Sequence, residues 1–276
     1  MNKKYELTDE TTEIEGHILH RIRALKKFAD VKKGDLGGFV ESEKNLSSEG
    51  NCWIYDQGRV YENGCVYGDG RVYDNGRVRG RGQVSDNGCV FSNGCVSGNG
   101  YIYGDGHVFG NGRVEDNGVV CGNGRVADNG CVSNHGHVCE NGCVDGNGHV
   151  YDSGFVSGYG HVCDDGSVYD DGSICDNGFV GDNGRVTGDA CIDGNARITG
   201  SGLVTSDDDY ATVSGFGTEN RSTTFFRCKD GKVRTQCGCF YGTIDLFREQ
   251  VQKTRKGKIA ECYLLIADLM EKRFSK

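Results

Sequence analysis

Proline is absent from this chain of 276 residues, and tryptophan occurs once. Glycine is abundant, with 46 residues, but it follows no strict Gly-x-y period, which excludes a collagen helix. Polar, glycine-rich sequence is also typical of disordered chains. Disorder does not fit here, because the apolar residues recur at a strict period, and periodic apolar residues indicate a packed core.

Long apolar runs are also missing, since no stretch approaches the ~18 residues of a membrane-spanning helix. Residues 1–8 carry charge but no apolar segment of the kind found in secretion signals. We therefore expect a cytoplasmic protein that does not contact membranes. In a reducing compartment its fifteen cysteines would be thiols or metal ligands and not a disulfide framework.

The apolar period is six residues and begins at Ile54. All 26 positions reached in steps of six from Ile54 to Val204 hold Val or Ile. The residue two places before each of them is Gly in 23 of the 26 cases. Residues two apart in a strand point to the same side. The sequence therefore predicts short strands with Gly and Val or Ile facing inward.

A turn is predicted between successive strands. Three residues after each aliphatic residue, 19 of the 25 positions between Gln57 and Ser201 hold Asn or Asp. These two residue types tolerate the left-handed backbone region better than other residues with a Cβ. We therefore expect this third position to adopt the left-handed conformation and to bend the chain at every sixth residue.

Units such as Val66-Tyr67-Gly68-Asp69-Gly70-Arg71 resemble the hexapeptide repeat of left-handed parallel β-helices. The resemblance covers residues 54–204 and implies a left-handed helix with three strands in each triangular coil. The 26 units then make about nine coils, and a strand spacing of ~4.8 Å gives a rod on the order of 40 Å long. The chain departs from the family at the small inward position. There the family favours Ala, Ser, Thr, Cys or Val, and this chain has Gly.

Segments outside the repeat resemble a narrower group. Residues 34–42 (Gly-Asp-Leu-Gly-Gly-Phe-Val-Glu-Ser) lead into the repeat, and residues 237–240 (Cys-Gly-Cys-Phe) belong to the closing part of the chain. Together they are similar to the uncharacterised YdcK-like group of bacterial and phage hexapeptide proteins. The predicted fold is then an all-β solenoid with three parts. An N-terminal cap with an irregular first coil (1–53) precedes the β-helix (54–204), and a C-terminal α+β cap (205–276) follows it.

Hairpins are predicted at both ends of the rod. A stack of coils exposes unpaired strand edges at its ends, and such edges need caps. At the N-terminus we expect a hairpin of strands 5–8 and 18–25. At the C-terminus, the turn signal Lys229-Asp230-Gly231 lies between the expected strands 223–228 and 232–237.

Two helices are predicted after the second hairpin, at about 243–254 and 258–274. The second helix has apolar residues at helical spacing. They are Ile259, Tyr263, Ile266, Met270 and Phe274. We expect this stripe to pack on the last coil of the rod as part of the cap, and the alternative is a helix that binds a partner.

Charge is distributed unevenly along the chain, whose formal net charge is −9. Residues 127–204 carry 12 acidic and 2 basic groups, whereas residues 221–276 carry 13 basic and 6 acidic groups. An acidic half-rod next to a basic end indicates a protein partner or self-association, and it disfavours direct nucleic-acid binding by the rod. The candidate surface for that partner is the group Asp164, Asp165, Asp170 and Asp171.

A row of aromatic residues is expected on one face of the rod. Steps of 18 residues connect Tyr55, Tyr73, Phe91 and Phe109, which would lie on successive coils. Such an apolar stripe is often a surface for oligomerisation or for a ligand. The alternative is ordinary side-chain stacking along a sheet.

Cysteine and histidine form rows in which possible zinc ligands would lie on adjacent strands. The first row contains Cys121, His137 and Cys139, the second contains Cys143, His161 and Cys163 beside Asp145, and a third group near the C-terminus contains Cys228, Cys237 and Cys239. Ladders on a flat sheet do not converge easily on a tetrahedral ion. The alternative is therefore a set of inert thiols, and we expect no cofactor.

An enzyme activity is implied only by the resemblance to hexapeptide acyltransferases. In that family a His acts as general base in a cleft between subunits of a trimer, and loops inserted between coils help to build the cleft. The candidate bases here are His107, His137, His149 and His161. The register never slips between Ile54 and Val204, however, so this segment contains no inserted loop.

These observations favour a non-catalytic scaffold or protein-binding protein. Its acidic rod could act as a decoy for a basic protein, including nucleic-acid-binding machinery, since phage proteins are among those that it resembles. The alternative is a hexapeptide acyltransferase that uses acyl-CoA at an intersubunit cleft.

Overall fold

The computed structural model describes residues 3–217 and 221–275, and its main body is the parallel β-helix that the resemblance to hexapeptide repeats implies. Three strands precede the regular coils: β1 (Tyr5–Ile14), β2 (His17–Ala24) and β3 (Leu36–Val40). Strands of two residues follow, each ending in the aliphatic residue of the period. They are β4 (Trp53–Ile54), β5 (Arg59–Val60), β6 (Cys65–Val66), β7 (Arg71–Val72), β8 (Arg77–Val78), β9 (Gln83–Val84), β10 (Cys89–Val90), β11 (Cys95–Val96), β12 (Tyr101–Ile102), β13 (His107–Val108), β14 (Arg113–Val114), β15 (Val119–Val120), β16 (Arg125–Val126), β17 (Cys131–Val132), β18 (His137–Val138), β19 (Cys143–Val144), β20 (His149–Val150), β21 (Phe155–Val156), β22 (His161–Val162), β23 (Ser167–Val168), β24 (Ser173–Ile174), β25 (Phe179–Val180), β26 (Arg185–Val186), β27 (Cys191–Ile192), β28 (Arg197–Ile198) and β29 (Leu203–Val204).

Every third strand joins the same parallel sheet, so one coil takes 18 residues. Val90, for example, pairs with Val72 on one side and with Val108 on the other. The three sheets contain 12, 9 and 8 strands, and the first of them includes β1 to β3. The aliphatic side chains of all coils point inward and are fully buried, which gives the rod one continuous core. The predicted solenoid of about nine coils is confirmed.

The turns between strands differ from the prediction in one respect. The left-handed residue is the second after each aliphatic residue and not the third, for example Glu62 (φ 56°) and Gly68 (φ 62°). The prediction of a left-handed Asn or Asp at the third position is therefore wrong. Side chains at that position instead form hydrogen bonds along the rod. Asn93 Nδ2 donates to Asn111 Oδ1 at 3.2 Å, and Asn111 Nδ2 donates to Asn129 Oδ1 at 3.1 Å.

Glycine at the small inward position follows from how closely the coils approach one another. A Cβ placed on Gly76 would lie 2.5 Å from the carbonyl oxygen of Val90, which belongs to the next coil. Near the C-terminal end of the rod, Ala190 and Ala196 occupy the same position and are fully buried. The departure from the residue types that the family favours therefore has a steric cause in the backbone.

The N-terminal cap is a β-hairpin joined to an irregular coil. β1 and β2 pair antiparallel, which confirms the predicted hairpin, although both strands are longer than or shifted from the expected segments. β3 pairs antiparallel with β2 and parallel with β5, so it connects the hairpin to the rod. Trp53 closes this end of the core, with the rings of Tyr5 and Phe28 at centroid distances of 6.3 and 5.3 Å.

The C-terminal cap combines an antiparallel sheet with two helices. Its elements are β30 (Tyr210–Phe216), β31 (Arg221–Arg227), β32 (Val233–Cys237), β33 (Phe240–Thr243), α1 (Ile244–Thr254) and α2 (Gly257–Phe274). The hairpin β31–β32 and both helices confirm the predictions, whereas the sequence patterns do not predict β30 and β33. Thr243 caps α1, since its Oγ1 accepts a hydrogen bond from the backbone N–H of Leu246. Within the described ranges, neither helix has the length and apolar character needed to cross a membrane.

The apolar stripe of α2 packs within the cap and not on the last coil, so that prediction is wrong. Its buried side chains are Tyr263, Ile266, Met270 and Phe274. They belong to a separate hydrophobic core that also contains Phe225 and Phe247. The last coil is covered instead by β31, whose Phe226 side chain joins the core of the rod.

Candidate functional site

The outward side chains of the rod fall on three faces, because each sheet forms one side of the coil. Face I consists of β4 and every third strand up to β28, face II of β5 and every third strand up to β29, and face III of β6 and every third strand up to β27. Corner A follows each strand of face I, corner B follows each strand of face II, and corner C follows each strand of face III. Two outward rows run along each face, formed by the residues before and after each buried aliphatic residue.

The predicted aromatic row lies on face I. The rings of Tyr73 and Phe91, and those of Phe91 and Phe109, stack with centroids 4.9 Å apart and planes 4° from parallel. Tyr55, at the start of the row, donates a hydrogen bond from its hydroxyl to Asp30 Oδ1 in the N-terminal cap at 2.9 Å. All four rings are half-buried. Because the stacked rings cover one another's faces, the stripe presents ring edges to solvent, and its role as a binding surface stays a prediction.

Three possible metal ligands meet further along the same face. Cys143 and Asp145 flank the buried Val144 and point outward side by side, and His161 pairs with Cys143 from the next coil. His161 Nε2 lies 2.9 Å from Asp145 Oδ2, and Cys143 Sγ lies 3.7 Å from the same oxygen. All three side chains are half-buried. Burial, together with the negative charge of Asp145, raises the pKa of the Cys143 thiol to about 11.

The other members of the two predicted rows do not join such a group. On face III, Cys121 Sγ donates to Cys139 Sγ at 2.7 Å, but His137 does not complete a three-ligand site with them. The Cys163 thiol is directed to Asp164 Oδ2 on corner A, at 3.4 Å. Among residues 3–217 and 221–275, only the group around Cys143 brings three His, Cys, Asp or Glu donor atoms within 4.8 Å of one another.

The C-terminal cysteines are separated by the sheet of the cap. Cys228 belongs to the core of the rod, whereas Cys237 packs against the core of the cap. Cys237 Sγ accepts a hydrogen bond from Thr223 Oγ1 at 3.1 Å, and Cys239 is exposed. The predicted metal site of Cys228, Cys237 and Cys239 is therefore not assembled in the described part of the chain.

The four candidate general bases are spread over the three faces. His107 and His161 lie on face I but three coils apart, which is ~14 Å. His149 lies on face II and His137 on face III. Burial lowers the pKa of His137, with a smaller contribution from a neighbouring histidine. Because every corner between Ile54 and Val204 has the same length, no loop of this segment encloses any of the four in a cleft.

The acidic half of the rod concentrates its charge along the two borders of face II. Corner A carries Asp128, Asp164, Asp165 and Asp182, and corner B carries Asp152, Asp170, Asp171 and Asp189. These eight are two thirds of the 12 acidic residues between positions 127 and 204. The four aspartates that the sequence indicated therefore do not form one cluster. They lie in two pairs at opposite ends of β23, up to ~20 Å apart.

A cavity of about 270 Å³ lies in the C-terminal cap. Its walls are mainly apolar and include Phe240, Phe247 and Tyr263, with Arg221 and Arg255 among the polar residues. This volume is close to the lower end of small-molecule sites, ~300 Å³. No sequence motif marks the cavity, because its walls come from β31, β32, β33, α1 and α2, whose mutual packing no local pattern encodes.

Comparison with known protein families gives no match to a family model. A segment of 49 residues, which is 18% of this chain, is 45% identical to the "Uncharacterized acetyltransferase YdcK" of Escherichia coli (strain K12). The matched segment spans 15% of the length of that relative. Together with the observed β-helix, this match shows a partial resemblance to YdcK-like hexapeptide-repeat proteins.

Proposed function

We propose that the protein is a non-catalytic scaffold that binds a basic protein on its acidic-edged face. The acidic-edged face is the part of face II between residues 127 and 204. The observation that carries the proposal is the distribution of eight aspartates along both borders of this one face. The negative potentials of two parallel lines of aspartates add over the surface between them. The combined potential attracts a cationic partner and raises the rate at which it binds.

The surface between the two borders suits a protein segment. Seven of the eight aspartates are exposed, and only Asp152 is half-buried. The rings of Tyr151 and Tyr169 stack at 4.9 Å in the row of face II beside corner B and provide an apolar surface with polar tips. A width of up to ~20 Å accommodates one α-helix, whose diameter with side chains is ~10–12 Å. A nucleic-acid-binding protein is one class of basic partner, whereas nucleic acid itself would be repelled.

Pairs of substitutions at equivalent backbone positions provide the test. D164N/D170N removes one charge from each border of the acidic-edged face, and E140Q/D176N removes the same number from corner C. The backbone of all four residues is in the left-handed region, with φ between 50° and 54°. Since Asn also tolerates this conformation, we expect D164N/D170N to fold normally.

The measurement is affinity capture from cell lysate at low and at high salt, with the bound proteins identified by mass spectrometry. We expect wild type and E140Q/D176N to retain the same basic protein at low salt, and D164N/D170N to lose it. High salt should release it from all variants, because exposed charges are screened. Wild type that retains no protein at low salt, or a loss of equal size in both double variants, would overturn the proposal.

Acyl transfer is the second candidate, because the relative that matches 49 residues is named an acetyltransferase. One of His107, His137, His149 and His161 would then act as general base at a cleft between copies of the chain. This function predicts a trimer in light scattering, a rise in melting temperature with acetyl-CoA, and loss of acetyl transfer in one His→Ala variant. A monomer that acetyl-CoA does not stabilise would exclude it.

A further inference from the structure

The rod contains three places where a cysteine and a histidine pair in register on neighbouring coils. The pairs are Cys89 and His107, Cys131 and His149, and Cys143 and His161. The residue two positions after each cysteine points to the same side of the strand. It is Phe91 in the first case, Ser133 in the second and Asp145 in the third. The third pair thus differs from the other two in having a carboxylate beside it.

Two donor-atom distances at the third pair are close to those of a zinc site, and all three donor atoms lie within 4.8 Å of one another. With Zn–ligand distances of ~2.0–2.3 Å, neighbouring ligand atoms of a tetrahedral site lie roughly 3.3–3.7 Å apart. Cys143 Sγ is already 3.7 Å from Asp145 Oδ2. His161 Nε2 is 2.9 Å from the same oxygen, so these two atoms need to separate by about half an ångström to admit an ion. The change would come from rotation of these half-buried side chains.

The neighbouring residues hold His161 and leave room at the site. The ring of Phe179, on the following coil, meets the His161 ring edge-on at 5.5 Å. Two coils beyond Asp145 in its row lies Gly181, where a Cβ would come within 2.6 Å of the Phe179 ring. One coil before Asp145 lies the small, buried Ala127. The neighbours of Asp145 in its row are Ala127 on the preceding coil and Cys163 on the following one, so no bulky side chain of this row covers the carboxylate.

The charge around the group favours a divalent cation. Asp128 and Asp164 lie on the adjacent corner A and add negative charge near Cys143 and Cys163. One cation also faces the group, because Arg125 pairs in register with Cys143 from the preceding coil. Its guanidinium lies over the ring of Phe109, 5.9 Å from the centroid, in the aromatic row.

We propose that Cys143, Asp145 and His161 bind a Zn²⁺ ion on face I, with solvent at the fourth coordination position. Sulfur, carboxylate oxygen and imidazole nitrogen are all zinc ligands, and three protein ligands with one open position make a complete zinc site. Binding releases the proton of the Cys143 thiol to solvent and replaces the hydrogen bond between His161 and Asp145 by bonds to the metal. The ion ties β19 to β22 and so links two successive coils.

Zinc titration of the full chain tests this site. Metal-free protein, kept in a non-thiol reductant, is titrated with Zn²⁺ by calorimetry and with Co²⁺ by absorption spectroscopy, which reports thiolate coordination directly. We expect about one equivalent per chain and a thiolate-to-cobalt charge-transfer band. C143A should abolish the band and weaken zinc binding by at least ~100-fold. Loss of a residue that only hydrogen-bonds a metal ligand lowers metal affinity ~10–100-fold, and loss of a ligand itself should lower it more. D145N keeps the shape and a side-chain oxygen towards His161 but loses the charge, and should weaken binding at least ~10-fold.

The first cysteine–histidine pair provides the matched control. C89A removes a half-buried thiol from the same row of the same face, in register with a histidine but beside Phe91 and no carboxylate. We expect C89A to leave zinc affinity and the cobalt band unchanged. The proposal is overturned if wild type binds no zinc at micromolar concentration, or if C89A weakens binding as much as C143A does. Unchanged affinity in D145N would also overturn it, because the carboxylate distinguishes this pair from the other two.

Discussion

Phe225 and Phe226 are neighbours on β31, and their side chains enter two different hydrophobic cores. Phe226 is fully buried against the last coil, where a Cβ on Gly202 would come within 2.9 Å of its ring. Phe225 is fully buried on the other side of the sheet, where its ring meets that of Phe247 edge-on at 5.9 Å. Because alternate residues of a strand point to opposite sides, one strand both closes the rod and supports the two helices.

Replacing Phe226 with Ala should open the end of the rod. We expect F226A to lower the free energy of unfolding by ~3–5 kcal/mol, the usual cost of removing a buried Phe side chain. The uncovered end of the last coil should also promote self-association, which light scattering measures.

F225A is the matched control for this change. It should destabilise the protein by a similar amount, but hydrogen exchange should then rise in α1 and α2 and not in β27 to β29. F226A protein with the same solution mass as wild type and unchanged exchange in β27 to β29 would contradict the role of Phe226 as the end of the rod core.

The rod could be predicted from the sequence because its core has a strict one-dimensional repeat. An aliphatic residue at every sixth position between Ile54 and Val204 indicates short strands that face a common core, and the resemblance to hexapeptide repeats implies three of them in each coil. The step of 18 residues then places Tyr73, Phe91 and Phe109 in one row, and the structure stacks them. Local signals were also sufficient for the β31–β32 hairpin and for the two helices.

The turns and the cap were less predictable, because they depend on contacts between distant residues. Asn is suited to left-handed turns and also to hydrogen-bonded ladders, and the sequence does not distinguish these uses. The ladder from Asn93 to Asn111 exists only because residues 18 apart become neighbours. The spacing of Cys143, Asp145 and His161 places them on adjacent strands of one face. It does not predict that their donor atoms meet, because that depends on side-chain rotation. The packing of α2 depends on β30 and β33, which carry no strong pattern.

Disrupting the asparagine ladder on corner A should cost a moderate amount of stability. N111A removes one hydrogen bond accepted from Asn93 and one donated to Asn129. Since Asn111 is exposed, we expect a loss of about 1 kcal/mol in the free energy of unfolding, measured by urea denaturation. N111D should cost less than N111A, because its carboxylate still accepts from Asn93 and only the bond donated to Asn129 is lost.

Asp165 provides the control for the ladder. It accepts a hydrogen bond from Asn147 Nδ2 at 3.1 Å, and Asn at this position retains an acceptor oxygen. D165N should therefore leave stability within ~0.5 kcal/mol of wild type. If N111A were as stable as wild type, the ladder would contribute nothing to the rod.

Two inward glycines should respond differently to Ala. The closest contact of a Cβ on Gly76 would be 2.5 Å, to the Val90 carbonyl oxygen of the next coil. The closest contact of a Cβ on Gly88 would be 2.9 Å, to the Ser85 carbonyl oxygen of its own coil, with the Ile102 oxygen of the next coil at 3.2 Å. G76A should force the coils apart and lower the free energy of unfolding by ~1–3 kcal/mol, as overpacking does. G88A should cost less, because its contact with the next coil is less close; the ~0.4–1 kcal/mol that Ala gains from reduced unfolded-state freedom applies to both variants. Thermal and urea denaturation of both variants measure the difference, and equal costs would show that the approach of the coils does not select Gly.

The cysteines should differ strongly in their reactivity towards iodoacetamide. Cys239 is exposed, whereas burial, with a further contribution from the Cys121 thiol, raises the pKa of Cys139 to about 12. Only the thiolate form of a cysteine reacts. With a pKa of about 12 in place of the usual ~8.5, the thiolate fraction of Cys139 at neutral pH is lower by roughly a thousandfold. Mass spectrometry of the labelled protein at pH 7.5 should show fast modification of Cys239 and modification of Cys139 slower by at least ~100-fold.

The rate at Cys139 should rise tenfold per pH unit as long as the rod stays folded, and C139S should leave the labelling of Cys239 unchanged. Fast labelling of Cys139 in folded protein would mean that the thiol pair on face III is far more open to solvent than its burial indicates.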